Sequence, residues 1–121
     1  MRIKLKLPLP DSLNRYLNKC WQARGREKDG MAELVYLLLC EKLGCPLPKL
    51  CKAKLVYTVH SDRQRDADNL IVVVKLFNDA IVRAGLVADD DAEHLTYNLP
   101  GFIYDKERYV EVKIIGRKER Q

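Results

Sequence analysis

Alternation of polar and apolar residues marks the beginning of the chain as a β-strand. From residue 2 to residue 7, charged side chains alternate with aliphatic ones, which is the two-residue period of a half-buried strand. Residues 52–60 alternate in the same way, with apolar side chains on one face. Residues 93–99 and 108–115 are two further predicted strands, and the glycine-containing connection between them favours a hairpin.

Two segments carry apolar residues at the spacing of an α-helix. The first is predicted to begin after Asp29, as its N-cap, and to end at about Leu43, before Gly44. Residues 11–28 are polar and basic with few periodic apolar positions, which predicts a loop that can include a short helical turn. The second, longer helix is predicted from residue 67 to residue 84, with an apolar stripe and a glycine after its end.

These elements follow one another in the order β-α-β-α-β-β. That order predicts an α+β fold in which two helices pack on one mixed four-stranded sheet. The length of 121 residues is that of one domain, so residues 1–121 are expected to form a single domain with a frayed tail over about 117–121. No apolar run reaches the roughly 18–20 residues of a membrane span, and the start lacks the apolar stretch of a secretory signal. A cytoplasmic protein without membrane association is therefore expected.

The chain is basic, with a formal net charge of +5 and a pI near 9.1. Ordinary solubility accounts for a net charge of this size, but the basic residues are also clustered. They concentrate at residues 24–28, 49–54 and 117–120, and clustered Lys and Arg are the electrostatic footprint of nucleic-acid binding. Charge distribution thus raises the prospect of an anionic partner.

The four cysteines do not have the spacing of a zinc site. Cys20, Cys40, Cys45 and Cys51 form no Cys-x-x-Cys pair, and no histidine lies at zinc-finger spacing from them. They are predicted to be thiols, with Cys40 filling the core on an apolar helical face.

The most informative segment joins the second strand to the second helix. Asp66 and Asp68 stand one residue apart there, just after Arg63 and Arg65, and the arginines indicate an anionic substrate. Carboxylates at this spacing on a strand-to-helix junction can share a Mg²⁺ ion, which proteins typically hold by one or two carboxylates together with substrate phosphates. The alternative is that Asp66 is an N-cap and Asp68 a first-turn acid favoured by the helix dipole.

A second acidic group and a lysine complete the candidate chemistry. Residues 89–91 are three aspartates, which approach the first pair only if the next strand lies beside the strand leading into Asp66. Lys75 follows Asp68 by seven residues, or about two helical turns, and so occupies nearly the same helix face. Its ammonium either stabilises charge at a phosphate or simply pairs with Asp79 at i+4.

In combination, these motifs resemble the RusA-type Holliday-junction resolvases. The residues that carry the resemblance are His60–Leu70, Lys75, Asp79–Ile81, Ala84–Gly85, Asp90–Ala92 and the proline motif Leu7–Pro10 with Ser12, Asn14, Arg15 and Tyr16. The order of strands and helices also matches across nearly the whole chain. One departure concerns the lysine, which in the family falls about one helical turn after the second aspartate, where this chain has Val72.

The resemblance implies a small homodimeric, Mg²⁺-dependent endonuclease, with Mn²⁺ as a substitute, that nicks four-way DNA junctions symmetrically. It implies that Asp66, Asp68 and Asp91 hold the metal, with Asp90 as the alternative to Asp91, and that Lys75 assists the reaction. The residues predicted to bind flanking DNA phosphates are Arg15, Arg24, Arg26, Arg63 and Arg65.

Two other functions remain open at this stage. The first is a non-catalytic dimer that binds branched DNA on the same scaffold, with its lysine displaced from the catalytic position. The second is a Mg²⁺-dependent enzyme acting on nucleotides, against which the basic clusters argue.

Overall fold

The structure, a computed structural model, describes residues 1–9, 21–63 and 67–118, without the side chains of Trp21, Arg24 and residues 67–70. The strands are β1 (Arg2–Pro8), β2 (Leu50–Ser61), β3 (Leu95–Tyr97), β4 (Gly101–Tyr104) and β5 (Tyr109–Lys118). The helices are α1 (Trp21–Leu43) and α2 (Ala67–Arg83). The predicted α+β class, with two helices on one mixed sheet, is confirmed in this part of the chain. The described residues contribute five strands to the sheet instead of four, because the predicted connection contains β4.

The sheet topology overturns one prediction. The strand order is β1-β5-β2-β3, and β4 pairs with β2 beyond the end of β3. β5 runs antiparallel between β1 and β2, whereas β3 and β4 run parallel to β2. The hairpin predicted between residues 93–99 and 108–115 is therefore wrong, since β2 separates β3 from β5. Val110, Val112 and Ile114 of β5 have no exposed surface, and such an apolar strand buries more area between two neighbours than at a sheet edge.

The first helix is longer than its apolar pattern predicts. It begins at Trp21, so the predicted loop over residues 11–28 is wrong from there on, and residues 10–20 lie outside the described residues. Asp29 is inside the helix and not its N-cap, and its carboxylate pairs with Arg83 of α2 at 2.9 Å. The early part of the helix is rich in Gln, Ala, Arg, Glu and Lys, which are strong helix formers. Intrinsic propensity therefore extends the helix where no apolar stripe exists.

Both helices pack on one face of the sheet and share the main core with it. Leu55, Tyr57 and Val59 of β2 point into this core with no exposed surface, as their alternation predicts. The helical residues of the core are Met31, Ala32, Val35, Leu39, Val73, Val74, Phe77, Ala80 and Ile81. Such a two-layer arrangement leaves the second face of the sheet without a described helix.

Glycines end both helices, as predicted. Gly44 and Gly85 have φ values of 84° and 86°, a left-handed conformation that glycine adopts without a Cβ clash. The turn at Gly44 returns the chain so that Cys45 forms a disulfide with Cys40, at a Cα–Cα distance of 5.3 Å. The prediction of thiols is therefore wrong for this pair, because sequence spacing does not reveal helix-end geometry. Cys51 is a free, exposed thiol.

The two ends of the described chain join the sheet. β5 continues to Lys118, which is paired with Leu50, so the first two residues of the predicted frayed tail belong to a strand. Residues 119–121 lie outside the described residues. Neither helix in the described ranges combines the length and the hydropathy that a bilayer-spanning segment needs.

Candidate functional site

A cleft of about 580 Å³ opens between α2 and the sheet edge at the end of β3. The residues that line it are Ile71, Val74, Lys75, Asn78, Asp79, Asp90, Tyr97, Asn98 and Leu99. We call it the Lys75 cleft. It brings together one wall from the helix, one from the sheet edge and one acidic residue of the loop that follows α2.

The helical wall follows from the periodicity of α2. Phe77 and Ile81 pack into the core, whereas Ile71 and Lys75, one turn apart, are exposed on the side that faces the cleft. α2 is continuous from Ala67 to Arg83, so Asp68 lies two turns, or about 10 Å, before Lys75 on nearly the same face. The side chain of Asp68 lies outside the described part of the chain. The predicted common helix face of Asp68 and Lys75 is thus supported at the level of the backbone.

The sheet wall is a gap in the edge of the sheet. β3 pairs with residues 53–55 and β4 with residues 58–61 of β2, so neither strand covers Tyr57. The side-chain oxygen of Asn98 fills this gap and accepts the Tyr57 backbone N–H at 3.1 Å. The adjacent Leu99 is pushed outwards and is 64% exposed. An interrupted edge strand therefore places both residues in the cleft.

Tyr57 fixes the orientation of two amides at once. Its fully buried phenol donates to Oδ1 of Asn78 at 2.5 Å, and its backbone N–H donates to Oδ1 of Asn98. Burial raises the pKa of the Tyr57 phenol, so the phenol keeps its proton at physiological pH. With both oxygens engaged, each amide retains its amino group as a donor for a ligand. Together with the Lys75 ammonium, these donors suit an anionic oxygen.

Three aspartates are close to one another at the acidic side of the cleft. Asp79 and Asp90 line it, and the carboxylate of Asp89 accepts the backbone N–H of Asp90 at 2.7 Å. The hydrogen bond with the Asp89 carboxyl is the main cause that raises the pKa of Asp90, and the charge of Asp79 raises it further. A cation bound between these carboxylates would favour the charged form of Asp90.

Asp91 has a different environment from Asp90. Its carboxylate accepts the backbone N–H groups of Glu93 and His94 at 3.1 and 3.0 Å, and it contacts Nδ1 of His94 at 2.6 Å. The contact with the imidazole is the main cause that lowers the pKa of Asp91, and it raises the pKa of His94. Asp91 thus holds the turn before β3 and is not part of the cleft wall. Of the two predicted third ligands, the one beside Lys75 is Asp90.

The remaining predicted site residues are placed only in part. Arg15, Arg65 and Asp66 lie outside the described residues, and Arg24 is described only in its backbone, on α1. The structure places two other predicted DNA-binding residues at the surface, Arg26 on α1 and Arg63 after β2.

Lys75 and Asp79 both line the cleft, one turn apart on α2. Within the described residues the Lys75 ammonium forms no ion pair. The alternative i+4 pair of Lys75 with Asp79 is thus not formed, and no described carboxylate neutralises the Lys75 ammonium.

The cleft offers two described carboxylates as candidate ligands for a hard divalent cation. Asp79 and Asp90 supply carboxylate oxygens, while the amide oxygens of Asn78 and Asn98 are already engaged. Mg²⁺ keeps several waters and needs only one or two protein carboxylates. Among the described side chains, no group of three or more His, Cys, Asp or Glu residues has the arrangement of a metal site. The carboxylates of Asp66 and Asp68 lie outside that set.

Tyr57, Asn78 and Asn98 were not predicted as site residues. One signal was available for Asn78, because an amide directly after Phe77, beside the apolar stripe of a helix, needs a buried partner. Asn98 gave no such signal, since its role depends on the gap between β3 and β4.

Two comparisons with known proteins give no match for the chain. No protein-family model matches it, and no curated protein matches it with significant similarity.

Proposed function

We propose that this protein is a Mg²⁺-dependent, structure-selective endonuclease that resolves four-way DNA junctions by paired symmetric nicks. The observation that carries the proposal is the Lys75 cleft, where an ammonium without an ion pair to any described residue, two carboxylates and two oriented amide donors meet. The helix that supplies Lys75 begins beside the Asp66/Asp68 pair. The same residues underlie the resemblance to RusA-type resolvases.

The proposed metal ligands are Asp66, Asp68 and Asp90. Asp90 replaces Asp91 in this role because it lines the cleft with Lys75, whereas Asp91 is held by the turn before β3. A bound Mg²⁺ supplies Lewis-acid stabilisation of phosphate charge, and Mn²⁺ is expected to substitute for it. Asp79, at the same wall, adds to the negative potential that attracts the cation.

The other groups of the cleft act on the DNA phosphate. Lys75 stabilises the negative charge that develops during phosphodiester hydrolysis. The amino groups of Asn78 and Asn98 hold a phosphate oxygen, and Tyr57 fixes their direction. Arg26 and Arg63, both exposed, bind flanking phosphates without reading the base sequence, as do Arg15, Arg24 and Arg65.

The proposal includes a homodimer, because symmetric nicking of a junction needs two sites related by a twofold axis. It also includes a cytoplasmic location and a role in DNA recombination and repair. Exposed apolar side chains at the rim of the cleft, Ile71, Tyr97 and Leu99, provide surface that a second subunit or the DNA would cover.

The test is cleavage of a synthetic four-way junction in Mg²⁺ and in EDTA. Lys75→Met is expected to lower kcat by about 10²–10³-fold, the usual cost of losing one charge-stabilising donor. Lys42→Met, which removes an exposed lysine from the last turn of α1, is the matched control and should cleave like the wild type.

The outcomes separate the proposal from its alternative. Wild-type protein that binds the junction but never cuts it is a non-catalytic branched-DNA-binding protein. Equal cleavage by the two lysine variants removes Lys75 from the mechanism. Hydrolysis of free nucleotides without junction binding replaces the DNA substrate with a small one.

A further inference from the structure

The face of the sheet opposite the core is strongly basic. Side chains that point away from the helices alternate with core residues along β1, β5 and β2, and the register places them side by side. The cations on this face are Arg2, Lys4, Lys6, Lys52, Lys54, Lys113 and Arg117. We call this surface the open face.

The cations of the open face are mostly unpaired. Lys4 pairs with Glu111 at 3.7 Å, and Lys6 with Glu107 at 2.5 Å. For the other five cations, the structure gives no ion pair with any described residue. Glu111 is the one carboxylate that the register of these three strands places on this face. Positive charge therefore exceeds negative charge on the part of the open face that runs from Lys52 and Arg117 to Lys4 and Lys113, whereas Lys6 and Glu111 balance each other on the next row.

Like charges also stand directly opposite each other across strand pairs. Lys4 is the cross-strand partner of Lys113, and Lys52 is the partner of Arg117. Like charges in such positions destabilise a sheet. A Thr, or a Glu opposite one of the cations, would keep the surface polar without repulsion between the two strands. An arrangement that costs folding stability indicates a polyanion that relieves the repulsion when it binds.

Protection against aggregation does not account for this pattern. Lysines placed for that purpose lie on edge strands, where they block pairing with another sheet. Lys4 and Lys6 on β1 fit that explanation because β1 is an edge. Lys54 and Lys113 do not, since β2 and β5 are interior strands with neighbours on both sides.

A shallow depression lies at one end of the open face. It has a volume of about 680 Å³, and its walls include Lys52, Lys54 and Arg117. Ile115 of β5 also lines it. Glu93 is the acidic residue of its wall. Three cations around a concave surface form a suitable binding site for the phosphate backbone of a nucleic acid.

Apolar exposure distinguishes nucleic acid from a membrane as the partner. Peripheral membrane binding needs aromatic or large aliphatic side chains that insert into the lipid, beside the basic residues. Among the large exposed apolar residues of the described chain, only Ile103, opposite His60, falls on the open face by register. The face thus carries seven cations but a single large, exposed apolar side chain that could insert into lipid.

We propose that the open face binds the phosphate backbone of a second duplex segment, on the side of the sheet opposite the Lys75 cleft. Tyr97 of the cleft pairs with Leu55, which points into the core, while Lys54 and Thr96 point to the open face. DNA on the open face is therefore separated from the cleft by the thickness of the sheet. The inference deepens the proposed function, because a branched junction offers several arms to one protein.

The test is binding of a duplex of 30 base pairs in EDTA, followed by fluorescence anisotropy across a salt series. The double variant Lys54→Gln/Lys113→Gln should weaken binding several-fold and reduce the magnitude of the salt slope by about 2, since each lost phosphate contact changes it by roughly 0.9. The matched control Lys42→Gln/Lys106→Gln removes the same charge from exposed positions outside the sheet and should bind like the wild type. Equal losses in the two double variants would overturn the inference.

Two further measurements exclude indirect effects. The Lys54→Gln/Lys113→Gln variant should unfold at no lower urea concentration than the wild type, because it relieves repulsion between cations, so weaker binding with undiminished stability identifies a lost contact. In a Cys20→Ser background, bound duplex should slow alkylation of Cys51, an exposed thiol in the wall of the depression. An unchanged alkylation rate at saturating duplex would place the DNA elsewhere.

The results also separate this inference from the proposed function. Duplex binding at the open face by a protein that never cuts junctions keeps the inference and removes the nuclease. Junction cutting by a protein whose two double variants bind duplex equally keeps the nuclease and removes the inference. Binding to vesicles of phosphatidylserine and phosphatidylcholine without binding to duplex would replace DNA with a membrane.

Discussion

Replacing Tyr57 by Phe tests the hydrogen bond that orients the cleft. The phenol has no exposed surface, and its partner Asn78 is 6% exposed, so the hydrogen bond between them is shielded from bulk water. The aromatic packing should persist, because the ring of residue 57 lies against Phe77 with a centroid distance of 6.2 Å, and phenylalanine has the same ring as tyrosine. The change therefore removes one donor and leaves the Asn78 oxygen buried without a partner.

The expected loss of stability follows from that unpaired oxygen. A neutral hydrogen bond contributes about 0.5–1.5 kcal/mol net, whereas a buried acceptor left without a donor costs about 1–3 kcal/mol. Tyr57→Phe should thus lower the free energy of unfolding by about 1–3 kcal/mol. Asn98 should keep its orientation, because it binds the backbone N–H of residue 57 and not the phenol.

Urea unfolding of a double-mutant cycle measures this effect. Asn78→Leu removes the acceptor, and the double variant Tyr57→Phe/Asn78→Leu leaves neither partner unpaired. The double variant should therefore lose less than the sum of the two single losses, by at least about 0.5 kcal/mol. Additive losses, or a single Tyr57→Phe loss within experimental error, would show that the phenol does not hold the amide.

Three further predictions concern the cleft, the disulfide and the turn before β3. Asp90→Asn should abolish Mg²⁺-dependent junction cleavage without loss of stability. Asp91→Asn should instead lower the stability of the fold, since the Asp91 carboxylate accepts the N–H groups of the turn. The reverse pattern would restore Asp91 as the metal ligand. Cys45→Ser should lower the free energy of unfolding by about 2 kcal/mol, which is the loop-closure value for a ring of about six residues. An unchanged urea midpoint would indicate that the disulfide is not formed in solution. The contact between His94 and Asp91 raises the pKa of the imidazole and lowers the pKa of the carboxyl. It therefore stabilises the fold most at pH values between the usual pKa values of the two groups, 3.8 and 6.5. The stabilisation decreases as pH rises through the pKa of His94 in the folded protein or falls through that of Asp91. The difference in urea midpoint between wild type and His94→Ala should therefore shrink on both sides of that window, and a difference that stays constant from pH 3 to pH 9 would contradict it.

The sequence predicted elements whose own side chains decide their structure. The alternation of β2 and the apolar stripe of α2 reflect burial on one side, and both elements form at the expected places. Gly44 and Gly85 ended the helices as expected, because the left-handed conformation needed there is a local property. These features depend on neighbours in sequence.

Features that depend on distant contacts were not predictable in this way. The position of β5 between β1 and β2 follows from which apolar face is best buried by neighbours far along the chain. The disulfide of Cys40 and Cys45 depends on the return of the chain after α1. The early turns of α1 carry helix-forming residues without an apolar stripe, so a search for periodicity overlooked them.

The candidate site shows the same division. Lys75 and the position of Asp68 share a helix face because α2 is regular and continuous. The choice between Asp90 and Asp91 could not be made from spacing, since the Asp91 carboxylate is engaged by a turn whose hydrogen bonds no motif encodes. The two amide donors arise only where the sheet edge is interrupted at Asn98.

The most direct test of the central claim uses a supercoiled plasmid that extrudes a cruciform. Paired nicks across the junction produce linear plasmid, whereas single random nicks produce open circles. The wild type should produce linear plasmid in Mg²⁺ and no linear plasmid in EDTA. Asp68→Asn protein should bind the junction without cutting it. Wild-type protein that binds the cruciform but leaves it uncut in Mg²⁺, or Asp68→Asn protein that cuts at the wild-type rate, would contradict the account.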